Sequence, residues 1–171
     1  MLPKIGIQEI IHETLVLDDY IPFNVYWKTP FVFPTQYWRT GDSEESFIEI
    51  GINSESGELL SITSILLPSV SYECPTFLDS QKDIDQSGIP VFDISAWKNI
   101  KYIHDPIDFQ SFFFNGKLTI VLDDTNAVAS TLSSEHFTFY FDSNQIMIAF
   151  ELGNLSEEEV LQLSSSIDYT L

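Results

Sequence analysis

Basic residues are the scarcest feature of this chain. Its 171 residues include 26 Asp and Glu but only 7 Lys and Arg, for a formal net charge of -19. A chain of average composition, ~25% charged, would carry roughly 20 residues of each sign. The acids exceed that by about six and the bases fall short by about thirteen, so missing bases account for most of the charge. Arg39 is the only arginine. A surface for DNA, RNA or anionic membrane needs a basic footprint that this composition does not supply. Phosphate-handling chemistry is disfavoured as well, because only one guanidinium fork is available.

Other absences narrow the field further. Cys74 stands alone, so no internal disulfide can form, and its surroundings carry no nucleophile signature. The chain lacks the nucleophile elbow, the Walker loop and the dinucleotide glycine fingerprint. No apolar run approaches the ~18 residues of a membrane-spanning helix. Met1 to Ile5 do not read as a signal peptide, so the cytoplasm is the expected compartment.

Core-forming material is plentiful. Apolar residues make up 44% of the chain, with 14 Phe, 7 Tyr and 3 Trp. That excludes a disordered acidic tail. A domain of this size can bury about 70% of its unfolded surface, and residues 1–171 read as one domain.

The pattern along the chain predicts strands and one helix. Residues 1–20 are ambiguous: Ile7, Ile10, Ile11 and Leu15 fit helical spacing, while Thr14 to Leu17 read as a strand. Pro22, Pro30 and Pro34 break the aromatic stretch 21–40 into short extended pieces, whose aromatics are expected on the core. Three hairpins follow. Phe47 to Ile52 alternates and returns through Asn53–Gly57 into 58–67. Residues 109–114 turn at Asn115-Gly116 into 117–122. Residues 137–141 pair with 146–150, with one face buried and the other wetter. Residues 69–89 read as a surface loop, and 91–94 as a short strand. A helix starts at the capping box Ser156/Glu159 and carries the stripe Val160, Leu163, Ile167 and Leu171. The expected fold is α+β: a mostly antiparallel sheet built from hairpins, with a C-terminal helix packed on it.

Few residue groups point to chemistry. Asp83, Asp85 and Gly88 match the first half of a calcium loop, but position 12 is Ile94 rather than a bidentate acid, and a polar loop is expected instead. His12, His104 and His136 each adjoin an acid without metal-ligand spacing, so neither a metal nor a cofactor is expected. The acids do group. Asp18 and Asp19, Glu44 and Glu45, Asp83 and Asp85, Asp105 and Asp108, and Asp123 and Asp124 fall at predicted loops or strand ends. They fit a solvated surface kept for solubility, or a face for a basic partner whose approach is steered by charge.

The segment Phe47 to Pro68, with its alternating strand, Asn-Ser-Glu-Ser-Gly turn and return strand, resembles a hairpin of small bacterial immunity-type proteins. The late hairpin 137–150 before residues 155–171 is similar in layout only. The resemblance implies a class: non-catalytic cytoplasmic antitoxins of polymorphic or contact-dependent systems, which plug a toxin domain, often a nuclease. It carries over no individual residue. The leading expectation is therefore a protein-binding inhibitor of a basic toxin domain, not an enzyme. The alternatives are a small-molecule or cation-binding module walled by residues 23–38, and a carboxylate-based enzyme.

Overall fold

A computed structural model describes residues 1–18, 20–29, 33–42, 44–76 and 85–168. Fifteen strands and one α-helix run through these residues. The first sheet has six strands, built from β2 (Glu13–Val16), β3 (Phe23–Trp27), β4 (Thr35–Thr40), β5 (Phe47–Asn53), β6 (Leu59–Leu66) and β10 (Tyr102–His104). Their order is β10-β4-β5-β6-β3-β2. The second has seven strands: β7 (Val70–Ser71), β8 (Asp85–Ser87), β11 (Gln110–Phe114), β12 (Lys117–Val121), β13 (Ser130–Ser133), β14 (Phe137–Phe141) and β15 (Met147–Leu152). Their order is β7-β11-β12-β15-β14-β13-β8. A two-stranded ribbon joins β1 (Lys4–Gln8) to β9 (Ile89–Phe92). The helix α1 spans Glu157–Asp168, and among the described residues no helix is long and apolar enough to cross a membrane.

The three predicted hairpins are β5–β6, β11–β12 and β14–β15, each antiparallel. The sheets themselves are mixed, because three short edge strands pair in parallel: β10 on β4, β7 on β11 and β8 on β13. These strands have two or three residues each, too few for an alternation to show in sequence. Two of them, β7 and β8, lie in the stretch expected to be loop. In residues 1–20 the extended reading wins, with β1 and β2 both strands.

The inner faces of the two sheets share one core. Trp38, Ile48, Ile50 and Ile62 meet Leu118, Ile120, Phe150 and Leu152 there, all 0–1% exposed. The aromatic stretch contributes as expected: Trp27 lies edge-on to Phe137 with ring centroids 5.4 Å apart, and Phe23 lies 5.6 Å from the same ring. The third hairpin departs from expectation, because β15 is buried along its whole length. Its outward Ile148 and Ala149 pack with Tyr140 and Val128 in a second apolar cluster.

The sheets cross rather than align. Glu13, at the start of β2, meets His136 just before β14. Beyond the other end of β2, the Leu17 carbonyl accepts from Gln162 Nε2 of α1. Gly116, at the β11–β12 turn, faces Val160 of the same helix. So β2 runs over the strand ends from β14 toward β11. The capping box forms: the Ser156 N–H donates to Glu159 Oε2 at 2.8 Å and the Glu159 N–H to Ser156 Oγ at 3.3 Å. Leu163 and Ile167 of α1 then enter the shared core.

Candidate functional site

Topology gathers part of the acidic surface at one corner. β4 and β10 run parallel, with Arg39 opposite His104, so both leave the sheet at the same end. The turn 41–46 follows β4 there, and 105–109 follows β10. The second segment is tied to the end of β4, where the Ile107 N–H donates to Thr40 Oγ1 at 3.3 Å. At Gln110 the chain enters the second sheet opposite Val121, the last residue of β12. Gln110 Nε2 donates to Asp124 Oδ2 at 3.2 Å, bringing the loop 122–126 to the same place.

The carboxylates of this corner divide into two kinds. Asp42, Asp105 and Asp123 serve the fold. Asp42 Oδ1 accepts the backbone N–H groups of Glu44, Glu45 and Ser46 at 2.8–3.0 Å, which hold its carboxyl below the ordinary range. Asp123 accepts from Thr125 Oγ1 at 2.6 Å and from the Thr125 N–H, and the hydroxyl contributes most to lowering its pKa. Asp105 accepts from the Met1 amine and from Trp38 Nε1. Glu44, Glu45, Asp108 and Asp124 are exposed. No lysine or arginine occurs in any of the three loops.

Other predicted acids do not join them. Asp18 is exposed beyond β2, at the far edge of the six-stranded sheet, and accepts the Tyr20 N–H. Asp85 opens β8, at the opposite edge of the second sheet from β11. Asp19 and Asp83 lie outside the described residues, as do Phe31, Ile84 and Leu171.

Next to the corner stands a cluster that composition alone did not reveal. Alternation along β4 puts Gln36, Trp38 and Thr40 in the core and Thr35, Tyr37 and Arg39 on the outer face. The Arg39 guanidinium donates to Glu49 Oε2 from Nε at 2.7 Å and from Nη2 at 2.6 Å. It lies 4.0 Å over the Tyr102 ring and 5.8 Å from that of Phe47. Tyr37 stacks on Tyr102 with centroids 5.6 Å apart. Lys101 also lies over Tyr102, and the hydroxyl of that tyrosine raises the lysine pKa. The chain's one arginine is thus fixed by a carboxylate and two rings.

Two clefts lie among the described residues, one beside the Arg39 cluster and one at the opposite edge of the six-stranded sheet. One, of about 920 Å³, is lined by Tyr37, Trp97, Lys98 and Lys101. Buried Gln36 braces its wall by donating to the Trp97 and Ile100 carbonyls at 2.8 and 2.7 Å. The other, of about 440 Å³, is lined by His136, Lys117, Glu151 and Thr138. Behind it, Glu13 accepts four hydrogen bonds: from Trp27 Nε1, the N–H groups of Glu135 and His136, and His136 Nδ1. His136 therefore pairs with an acid 123 residues away and not with its neighbour Glu135. The bond orients the ring through Nδ1. By contrast, His12 and His104 are exposed, and so is Cys74.

No protein-family model and no curated protein matches the chain.

Proposed function

We propose that this chain is a non-catalytic, immunity-type protein that binds a cognate basic toxin domain, such as a nuclease, and neutralises it. The observation that carries the reading is the corner where Glu44, Glu45, Asp108 and Asp124 stand exposed on three loops without a basic residue. A field dominated by one sign steers a basic protein and can raise its on-rate by about 10–10³. The resemblance of the hairpin β5–β6 to those of immunity proteins points the same way. Such a protein acts in the cytoplasm, before the toxin reaches its target.

The test is co-expression and titration with the toxin domain encoded beside this chain. We expect a one-to-one complex, loss of toxicity, and association that slows as salt rises. Absence of binding, or binding that leaves toxicity intact, overturns the proposal. The larger cleft favours one alternative, a small-molecule module walled in part by residues 34–37. Lys98 and Lys101 in its lining select an anion over the cation considered from sequence. Binding of a small carboxylate or phosphate there, with no toxin binding, would decide for that alternative.

A further inference from the structure

We infer that the outer face of the six-stranded sheet, centred on Tyr37, Arg39, Phe47 and Tyr102, is the surface on which the basic partner docks, with the acidic corner as its rim. The inference rests on the reading above and gives it a place on the molecule.

The register sets out what the face presents. Thr14 and Val16 of β2, Asn24 and Tyr26 of β3, Thr63 of β6, Phe47 and Glu49 of β5, Tyr37 and Arg39 of β4, and Tyr102 of β10 all point away from the core. Each is exposed or half-buried, with Tyr26 at 49% and Tyr102 at 41%. Gly51 keeps the middle of the face flat, since a Cβ there would come within 2.4 Å of Ser61 Oγ.

Three physical features favour a protein occupant. Tyrosine and arginine are the residue types that most often anchor interfaces. Here they are held in place before any partner arrives. Arg39 is fixed by Glu49 and by the rings of Tyr102 and Phe47, so little side-chain entropy remains to be lost on binding. The electrostatics then select the partner. Glu49 neutralises Arg39, and Lys101, over the Tyr102 ring, adds one positive charge at the start of β10. Glu44 and Glu45 adjoin the centre through the β4–β5 turn, and Asp108 lies four residues past β10. An aromatic centre with acids along the side of the β4–β5 turn and Asp108 matches a protein whose apolar patch is flanked there by Lys and Arg. A second copy of this chain is opposed by its own charge of -19.

Calorimetry and amide NMR with the adjacent toxin domain test the inference. For the double variant Tyr37→Ala/Tyr102→Ala we expect affinity to fall about tenfold or more. Tyr26→Lys, a change of one exposed residue, should weaken binding by a smaller factor. Glu135→Ala, beside the smaller cleft, should leave it unchanged. Amide shifts on complex formation should centre on residues 35–39, 47–51 and 102–104. Affinities of the double variant within twofold of the native chain, or shifts confined to the corner loops or to the His136 cleft, overturn this surface while leaving the toxin-binding reading intact. If the native chain fails to bind the toxin domain, both fall together. A dimer of the native chain in sedimentation that the double variant abolishes assigns the face to a second copy and overturns the proposal.

Discussion

Both sheets contribute an apolar inner face to the shared core, yet their outer faces differ. On the seven-stranded sheet, Thr119, Val121, Thr131, Tyr140 and Glu151 point outward and are all buried. On the six-stranded sheet, the equivalent positions carry Tyr26, Arg39, Glu49, Thr63 and Tyr102, none of them buried. Tyr140 is 3% exposed and Tyr26 is 49% exposed. An antiparallel sheet needs only one covered face, so closing the second sheet on both sides is a stabilising arrangement, and leaving the first one open is not. An open face rich in Tyr, with the chain's one arginine in it, costs solubility unless something else keeps the molecule in solution. The loops beside it carry exposed carboxylates, a type of surface charge that favours solubility.

The largest effect should separate the two tyrosines. Tyr140 packs with Ile148, Ala149 and Val128, so Tyr140→Ala removes a buried ring and leaves a cavity. We expect a loss of about 3–5 kcal/mol in urea unfolding. Tyr26→Ala removes a ring that is half in water, and the loss should stay below about 1 kcal/mol. Equal losses would mean that the first sheet is covered in solution, and the comparison would fail.

The two glutamates make a subtler pair. Glu151 is 7% exposed and accepts from Lys117 Nζ at 2.8 Å and Thr119 Oγ1 at 3.1 Å. In Glu151→Ala the lysine can turn to water, but the buried threonine hydroxyl loses its acceptor, at a cost of about 1–2 kcal/mol. Glu49→Ala breaks an ion pair on the open face, where such pairs contribute about 0–1 kcal/mol. Thermal unfolding of both variants checks the order. A larger loss for Glu49→Ala would make the Arg39 cluster a stability device rather than a surface held ready.

In both sheets the elements with local signals were legible in sequence, and the contacts on the open face were not. Asn115-Gly116 marked the β11–β12 turn, and both residues adopt positive φ, 51° and 74°. The alternation of Ile48, Ile50 and Ile52 marked β5, and Ser156 with Glu159 marked the start of α1. These signals are local. Tyr37 meets Tyr102 only because a three-residue strand docks in parallel 65 positions away, and no local pattern encodes that register. The same holds for Glu13 and His136, joined across 123 residues. The acidic groups were visible as doublets. Their division into Asp42, Asp105 and Asp123, which hold the fold, and Glu44, Glu45, Asp108 and Asp124, which face water, required the hydrogen bonds. Alternation across 35–40 was the one sequence signal that could have put Tyr37 and Arg39 on a common outer face.

The smallest effect concerns the corner that borders the open face. Hydrogen bonds hold the Asp123 carboxyl below its ordinary value in the folded chain. The folded state therefore binds the proton less readily than the unfolded one, and the bonds stabilise above the unfolded value of about 3.9. That contribution is lost as pH falls through the lower, folded value. Asp123→Asn has no such charge to protonate. The native chain should melt above the variant at pH 6 by no more than roughly 2 °C, because Asp123 is well solvated. The gap should close as pH falls through that lower value. A gap that widens toward low pH would mean the Asp123 carboxylate is strained by the neighbouring acids and not held by Thr125. The corner would then be a site of stored repulsion, which a basic partner relieves, and the open face would owe its partner preference to that relief more than to its rings.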